Sequence, residues 1–390
     1  MDIKNQSPET VKTVPGLRFT SHQAGWQERL GKWVDRTTGS VFIVPAVLVV
    51  LFLSIFPLVV SLYLSLTRMK LVKGGIEFHF VWLANFQKLL FGEEKTHFLG
   101  LAGRPSILGW LIFTVVVVWL GYALARNLSG REFRLRRLIG RLLSSVLAGL
   151  TAWLLVTTLG IDGRPGTLVV TLLYVFIDVI LQYILGLGLA MLVTQRLPGR
   201  RLFRVIFLLP MMITPVGIAY MFRMMTDTTV GPFTPIWQAV GLVNYSWVNY
   251  AWGARTAVMI SDIWQWTPFM FIVLLAALEG QSVELAEAAK VDGASRWQTF
   301  WYITLPQILP VSTTLILIRM IEAFKIVDLP NILTNGGPGT ATESLTLQAF
   351  FTWRALDLGS SAAIAYSLLF LVTFIGISYV NLVRSRVVEV

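Results

Sequence analysis

Long apolar runs alternate with short polar stretches along this chain. A helix needs about 20 apolar residues to cross the hydrocarbon core of a bilayer. By that measure eight runs qualify, at 41–66, 107–125, 138–159, 168–194, 202–226, 256–278, 307–326 and 361–383. Lipid offers no partner to a free backbone group, so each run is expected to be helical. The pattern predicts an all-α integral membrane protein with eight transmembrane helices. Pro210 and Pro215 should kink or break the fifth.

Composition agrees. Of 390 residues, 55% are hydrophobic and 14% charged, and the mean hydropathy is +0.69. Such a chain is too apolar for a soluble domain. It contains no cysteine, which excludes disulfide and thiolate chemistry. Its three histidines, His22, His79 and His97, have no metal-ligand spacing. The net charge of +11 could suggest nucleic acid, but the basic residues follow the spans instead. Arg126, Arg131, Arg134, Arg136 and Arg137 fill the loop 126–137, and Arg196, Arg200, Arg201 and Arg204 fill 195–204. Of the alternating loops, 160–167 holds only Arg164 and 227–255 only Arg255. The positive-inside rule therefore puts both termini, the Arg-rich loops and residues 279–306 in the cytoplasm. Residues 1–40 are a polar tail on that side, with a surface helix expected near Trp26–Trp33. The segment 67–106 is external by parity, although it carries Arg68, Lys70, Lys73, Lys88, Lys95 and Arg104. In 227–255 the aromatics Trp237, Tyr245, Trp247, Tyr250 and Trp252 fit an interfacial belt, which is compatible with a docking surface for an external partner.

One polar stretch stands between two spans and cannot lie in the bilayer: residues 284–306. Ser282 is placed to cap a first helix, with Glu284 in the first turn where the dipole favours an anion. Gly293 permits a sharp turn through positive φ. Ser295 and Gln298 fit a capping box opening a second short helix, Arg296 to Tyr302. Leu305-Pro306 then starts the next span. Small alanines allow close approach of another protein, and Glu287 offers it a charge.

The spacing E-A-A-x3-G-x9-I-x-L-P runs here from Glu287 through Gly293 to Ile303, Leu305 and Pro306. It resembles the cytoplasmic coupling loop of permease subunits in bacterial binding-protein-dependent ABC importers. Phe203-Arg204 through Leu209-Pro210, Asp262 to Phe269, and Leu333 to Pro338 with Thr342 to Leu345 resemble the carbohydrate-uptake branch, that of the maltose transporter's membrane subunits. The resemblance covers 168–385 and the first span. It implies a six-helix permease core at 168–385, with 284–306 as coupling loop, preceded by the first helix at 41–66 and the external loop 67–106. The pair at 107–160 is an insertion relative to that core, which preserves sidedness.

The resemblance further implies a non-catalytic transport subunit of the inner membrane. Such a subunit pairs with a second permease, rests on two ATPase subunits that hold ATP and Mg, and receives a sugar-like solute from an external solute-binding protein. No G-x-x-x-x-G-K-[ST] phosphate loop is present in this chain, so no cofactor is expected on it. The coupling contacts implied are Glu284, Glu287, Ala288, Ala289, Asp292, Gly293 and Arg296. Ionisable residues within spans are candidates for the solute path, and Asp178, Arg223, Asp262, Arg319, Glu322 and Lys325 qualify. Arg319 and Glu322 share a helix face, so mutual pairing competes with solute contact. Arg223 and Lys325 sit near span ends, where snorkelling is the expectation. Trp264 and Trp266 either pack or stack on a sugar ring, with packing preferred. Met224, Asp262, Trp266, Arg319 and Glu322 form the candidate path. A polyol, a glycerol phosphate diester or an anionic sugar is the competing solute. A membrane-embedded transferase, the competing class, would want a repeated acidic motif or a His/Asp cluster, and the sequence has neither.

Overall fold

The computed structural model describes residues 43–73, 75–128, 135–195, 198–242 and 245–387. The tail 1–40, residues 129–134 of the Arg-rich loop and Arg196 lie outside them. Two compact units divide the chain, Met1–Ser61 and Leu62–Val390. The first contains all but the last turn of helix α1 (Ile43–Ser65). Phe52 and Phe56 stack at 5.9 Å on it, as neighbours one helical turn apart.

The second unit begins with an antiparallel hairpin, β1 (Thr67–Val72) and β2 (Gly75–Phe80), in register from Thr67↔Phe80 to Val72↔Gly75. Short helices α2 (Ala84–Leu90) and α3 (Lys95–Phe98) follow. Strand β3 (Gly100–Leu101) pairs with β4 (Arg164–Pro165), so the chain closes on itself on both sides of the insertion. The insertion forms two helices, α4 (Ile107–Leu128) and α5 (Leu135–Thr158). They pack through Trp110, Phe113 and Trp153, with Phe113 and Trp153 ring centroids 5.2 Å apart.

The core consists of α6 (Thr167–Val193), the pair α7 (Arg200–Met212) and α8 (Pro215–Thr226), α10 (Ala251–Glu279), α12 (Arg296–Ala323) and α15 (Leu358–Val387). The short helix α9 (Thr234–Ala239) precedes α10, and α11 (Val283–Val291) precedes α12. Helices α13 (Asp328–Thr334) and α14 (Leu345–Arg354) lie between α12 and α15. Among the described residues five helices are long and apolar enough to span a bilayer, and six if α7–α8 counts as one broken span. The remaining two expected spans are the insertion pair. Their apolar portions, Ile107–Tyr122 and Ser144–Thr158, are shorter than a span.

The prolines act as expected. Helices α7 and α8 meet at 96°, with Pro215 opening α8 and Thr214 capping it through Gly217 N. Helices α6, α10 and α12 share the main apolar core, including Val175, Val179, Met270, Phe271, Leu274, Ile308 and Leu315. Gly186 sets the α6–α10 crossing: a Cβ there would fall 2.6 Å from Met270 Cβ and 2.9 Å from Phe271 N. Small residues permit such backbone approach between membrane helices.

One expectation is overturned. Residues Arg296 to Tyr302 are not a separate short helix ended before Leu305-Pro306. They are the first turns of one helix that runs from Arg296 to Ala323. A π turn at Phe300–Thr304 widens the helix just ahead of Pro306. The wider turn relieves the clash between the proline ring and the carbonyl four residues back.

Candidate functional site

The 284–306 segment is closed at both ends by short-range chemistry. Helix α11 starts after Ser282, whose side chain makes no capping bond, and has Glu284 in its first turn. It ends in a Schellman motif. Ala294 N donates to Ala289 O at 2.9 Å and Gly293 N to Lys290 O at 3.1 Å, with Gly293 at φ +80°. The capping box is present. Gln298 N donates to Ser295 Oγ at 3.3 Å, and Ser295 N to Gln298 Oε1 at 2.8 Å. The turn Asp292–Ala294 is therefore held from two sides, by Ala289 and Lys290 before it and by Ser295 and Gln298 after it. A recess of about 320 Å³ lies behind it, lined by Asp292, Gly293, Ala294, Gln298, Thr299, Tyr302 and Ile303.

Glu284, Glu287, Ala288, Asp292, Gly293 and Arg296 are exposed. Ala289 is buried. Its side chain lies on the inner face of α11. Exposed apolar groups surround the acidic positions, with Val291 88%, Trp297 69%, Tyr302 80% and Leu285 50% exposed. Leu285 and Val291 stand on α11, and Trp297 and Tyr302 on the first turns of α12. Two contacts tie the segment to the bundle. Gln281 Nε2 donates to Thr304 O at 2.9 Å, and Arg204 of α7 forms an ion pair with Glu279 at the end of α10.

The second site lies inside the bundle. Arg319 of α12 is buried and forms an ion pair with Asp262 of α10. Its Nε donates to Gln182 Oε1 of α6 at 2.8 Å. Gln182 Nε2 in turn donates to Asp262 Oδ2 at 2.9 Å and to Asp262 O at 3.1 Å. Three spans thus meet on one closed polar ring. Trp266 covers it, with the Arg319 guanidinium 4.7 Å from its ring centre. Asp178 is one helical turn before Gln182, fully buried, with no hydrogen-bond partner on either carboxylate oxygen.

Of the expected path residues, Asp262, Trp266 and Arg319 come together, while Met224 and Glu322 stay apart. Arg319 does not pair with Glu322. Glu322 is exposed and reaches Lys325 Nζ at 2.7 Å. The buried arginine cannot leave Asp262 uncompensated inside the bundle, so the tertiary partner wins over the helical neighbour. Met224 is 61% exposed. Arg223 donates to Ile332 O at 3.1 Å. Trp264 packs edge to face on Phe222, as the packing reading expected. Gln182 was missed because the search was for ionisable residues. Its signal is an amide in an apolar run, four residues after Asp178.

At the hairpin end of the bundle, a clasp holds the loop after α13. His97 Nε2 lies 3.0 Å from Glu343 Oε2 and its Nδ1 3.5 Å from Glu94 Oε2. The bond to Glu343 raises the imidazole pKa above its ordinary value, against the lowering effect of burial. Tyr174 Oη donates to Thr342 O at 3.1 Å and Arg255 Nε to Ala341 O at 2.7 Å. Gly336, at φ +80°, shapes this loop.

Residues 182–388 match the family described as the inner membrane component of binding-protein-dependent transport systems. The trehalose/maltose transport system permease protein MalF of Thermococcus litoralis is 36% identical over 217 residues, 56% of this chain and 74% of that protein. The sn-glycerol-3-phosphate transport system permease protein UgpA of Yersinia pestis is 32% identical over 212 residues, 52% of this chain and 70% of that protein. A bacterial alginate ABC transporter, solved in complex with an alginate pentasaccharide-bound periplasmic protein, shares the fold. The TM-score is 0.52 at 22% identity, over 57% of this chain and 78% of that chain. With more than half of its length matched, and a polar elbow framed by Glu287 and Pro306 between two of its spans, the chain belongs to the inner membrane components of binding-protein-dependent transport systems, the multi-pass permease subunits of ABC importers.

Proposed function

We propose that this permease forms, with a second permease subunit, the path by which a sugar or sugar-like solute enters the cell. ATP and Mg are held by two ATPase subunits, and this chain performs no chemistry of its own. An external solute-binding protein delivers the cargo. The observation that carries the proposal is the 284–306 elbow. Its acidic and apolar side chains are exposed together on a segment whose backbone is locked by a Schellman motif and a capping box. Glu284, Glu287, Ala288, Asp292, Gly293 and Arg296 are the contacts offered to an ATPase. Closure of the ATPases would move α11, and through Gln281–Thr304 and Arg204–Glu279 would move α12 and α7 with it.

The solute class rests on relatives. The names of the relatives include trehalose/maltose and sulfoquinovosyl glycerol transport. Glycerol phosphate keeps a place as the second reading because of the match to UgpA. Arg319, the cation considered for an anionic solute, is already matched by Asp262. That favours a neutral sugar. The ring Arg319–Asp262–Gln182 is read as a latch between spans that borders the path, with Trp266 as its lid. The domain reading keeps 168–385 as the core, 107–160 as the inserted pair, and both termini in the cytoplasm with eight spans.

The test uses vesicles containing the whole transporter. Uptake of labelled maltose or trehalose should require ATP within reach of the ATPases and the solute-binding protein on the opposite side. Uptake of glycerol phosphate in place of the disaccharides would replace the solute class. Uptake unaffected by Glu287→Lys would remove the elbow from the mechanism. Topology is checked separately with Gly130→Cys and Asp162→Cys, which should react with impermeant reagents from opposite sides.

A further inference from the structure

The hairpin β1–β2 is amphipathic in a way its neighbours do not explain. Directly opposed residues share a face, so the register fixes two sets. One set is Met69 with Phe78, Ile76, and Thr67 with Phe80. The other is Arg68 with His79, Lys70 with Glu77 and, at the hairpin tip, Val72 with Gly75. On the apolar face Ile76 is 54% exposed, Phe78 45% and Phe80 50%. A hydrophobic face of this kind on a two-stranded sheet is costly in water, and such a hairpin is marginal on its own.

The base of the hairpin is pinned. Asn85 Nδ2 donates to Ser65 O at 2.8 Å and to Thr67 O at 2.9 Å. Gly359 presses on the same strand, since a Cβ there would lie 2.2 Å from Thr67 O. The orientation is therefore set by the protein, and the apolar face runs on from Leu62 and Tyr63. Tyr63, in the last turn of α1, stacks on Phe80 at 6.5 Å, and Phe80 meets Trp82 edge to face at 5.4 Å. Leu62, Tyr63, Phe80 and Trp82 are all exposed. This aromatic ladder leads from the end of a lipid-length helix onto the hairpin. On the opposite face, Arg68 lines an open polar recess of about 630 Å³ with Gln87, Lys88, Glu93 and Asp357. Arg68 and Lys70 thus stand on one face, and the other continues the exposed apolar pair Leu62 and Tyr63.

We propose that the hairpin 67–80 lies in the membrane interface as a fixed float, with Met69, Ile76, Phe78 and Phe80 against the acyl boundary and Arg68 and Lys70 at the lipid phosphates. Its two free strand edges cannot enter the hydrocarbon, where backbone groups find no partner, so it rests at headgroup depth where water and phosphate serve them. Arg68 and Lys70 have side chains long enough to snorkel to phosphate at that level. Trp82, 70% exposed, marks the same level, in keeping with the interfacial preference of its ring. The occupant is the lipid surface. A docked solute-binding protein or the second permease would instead cover the apolar face with protein.

The chain lacks cysteine, so a single introduced thiol is its only one. Phe78→Cys and Lys70→Cys, on opposite faces, are each spin-labelled in the complete transporter. The transporter is placed in phosphatidylethanolamine–phosphatidylglycerol vesicles. Collision with molecular oxygen and with a water-soluble nickel chelate reports depth. The label at 78 should favour oxygen over the chelate severalfold more than the label at 70. Equal access of the chelate to both sites would place the hairpin in water and overturn the proposal. Shielding of position 78 from both reagents would assign the face to a protein and overturn it equally. Neither outcome bears on the importer reading, which is tested by uptake.

Discussion

The buried ring Arg319–Asp262–Gln182 and the elbow 284–306 solve opposite problems with the same kinds of side chain. The ring satisfies its charges internally, across three spans, and leaves nothing for a partner beyond the unpaired Asp178. The elbow satisfies its backbone internally and leaves its carboxylates exposed. The lesson is that in a transport subunit an ion pair inside the membrane speaks first for assembly. Unpaired charge on a rigid backbone outside it speaks for a partner.

Arg319→Ala attacks the ring where the effect should be largest. It strands the Asp262 carboxylate in the bundle, and removal of one partner from a buried pair costs about 3–5 kcal/mol. The amount of folded subunit and its melting temperature should both fall. The double change Arg319→Met with Asp262→Leu should recover most of that loss, because it leaves no buried charge behind. Glu287→Lys tests the elbow in the opposite sense. Folding and insertion should be untouched, while association with the ATPases weakens by about 2 kcal/mol or more and uptake is lost. Measured together, the two variants separate assembly from coupling. If Glu287→Lys lowers the amount of subunit as Arg319→Ala does, the contrast between the regions disappears.

Gly293→Val should come next. Nothing lies within 4 Å of the position a Cβ would take, so the penalty is conformational alone. A β-branched residue at φ +80° costs about 1–2 kcal/mol, enough to loosen the turn and reduce uptake without unfolding the bundle. Ser295→Ala removes one capping bond and should cost about 1 kcal/mol, seen as a partial loss of coupling. The smallest effect belongs to the clasp at the other end. The pKa of His97 is raised in the folded state by its bond to Glu343. Its contribution is therefore fully present below the ordinary histidine value of about 6.5 and disappears as pH rises through the raised value. Wild-type stability measured from about pH 6 to about pH 8 should decline by up to about 1 kcal/mol more than that of His97→Gln. Identical profiles would leave the clasp with no protonic part.

Much of this was legible along the chain because lipid forces helices to declare themselves by length and apolarity. Pro210 and Pro215 announced the broken span, and the loop chemistry of Gly293 and of Ser295 with Gln298 announced the elbow. These are local rules acting within a few residues. What escaped was set by distance in sequence. Arg319 has a carboxylate three residues away and prefers one 57 residues away, because burial decides. Gln182 carries no charge and so drew no notice. Continuity through Pro306 depends on a π turn, which leaves no simple signature. The inward turn of Ala289 depends on what α11 packs against.

The unbroken helix Arg296–Ala323 also has a mechanical meaning. From the elbow to Arg319 it measures roughly 35 Å at 1.5 Å per residue. A helix of that length joins the elbow at one end to the guanidinium near the other. A tilt of a few degrees at the elbow becomes an excursion of a few ångströms at Arg319, comparable to the reach of one hydrogen bond. Had Leu305-Pro306 been a hinge, the stroke would have been absorbed there. The π turn carries the helix through Leu305-Pro306, so the elbow and the ring share one continuous element.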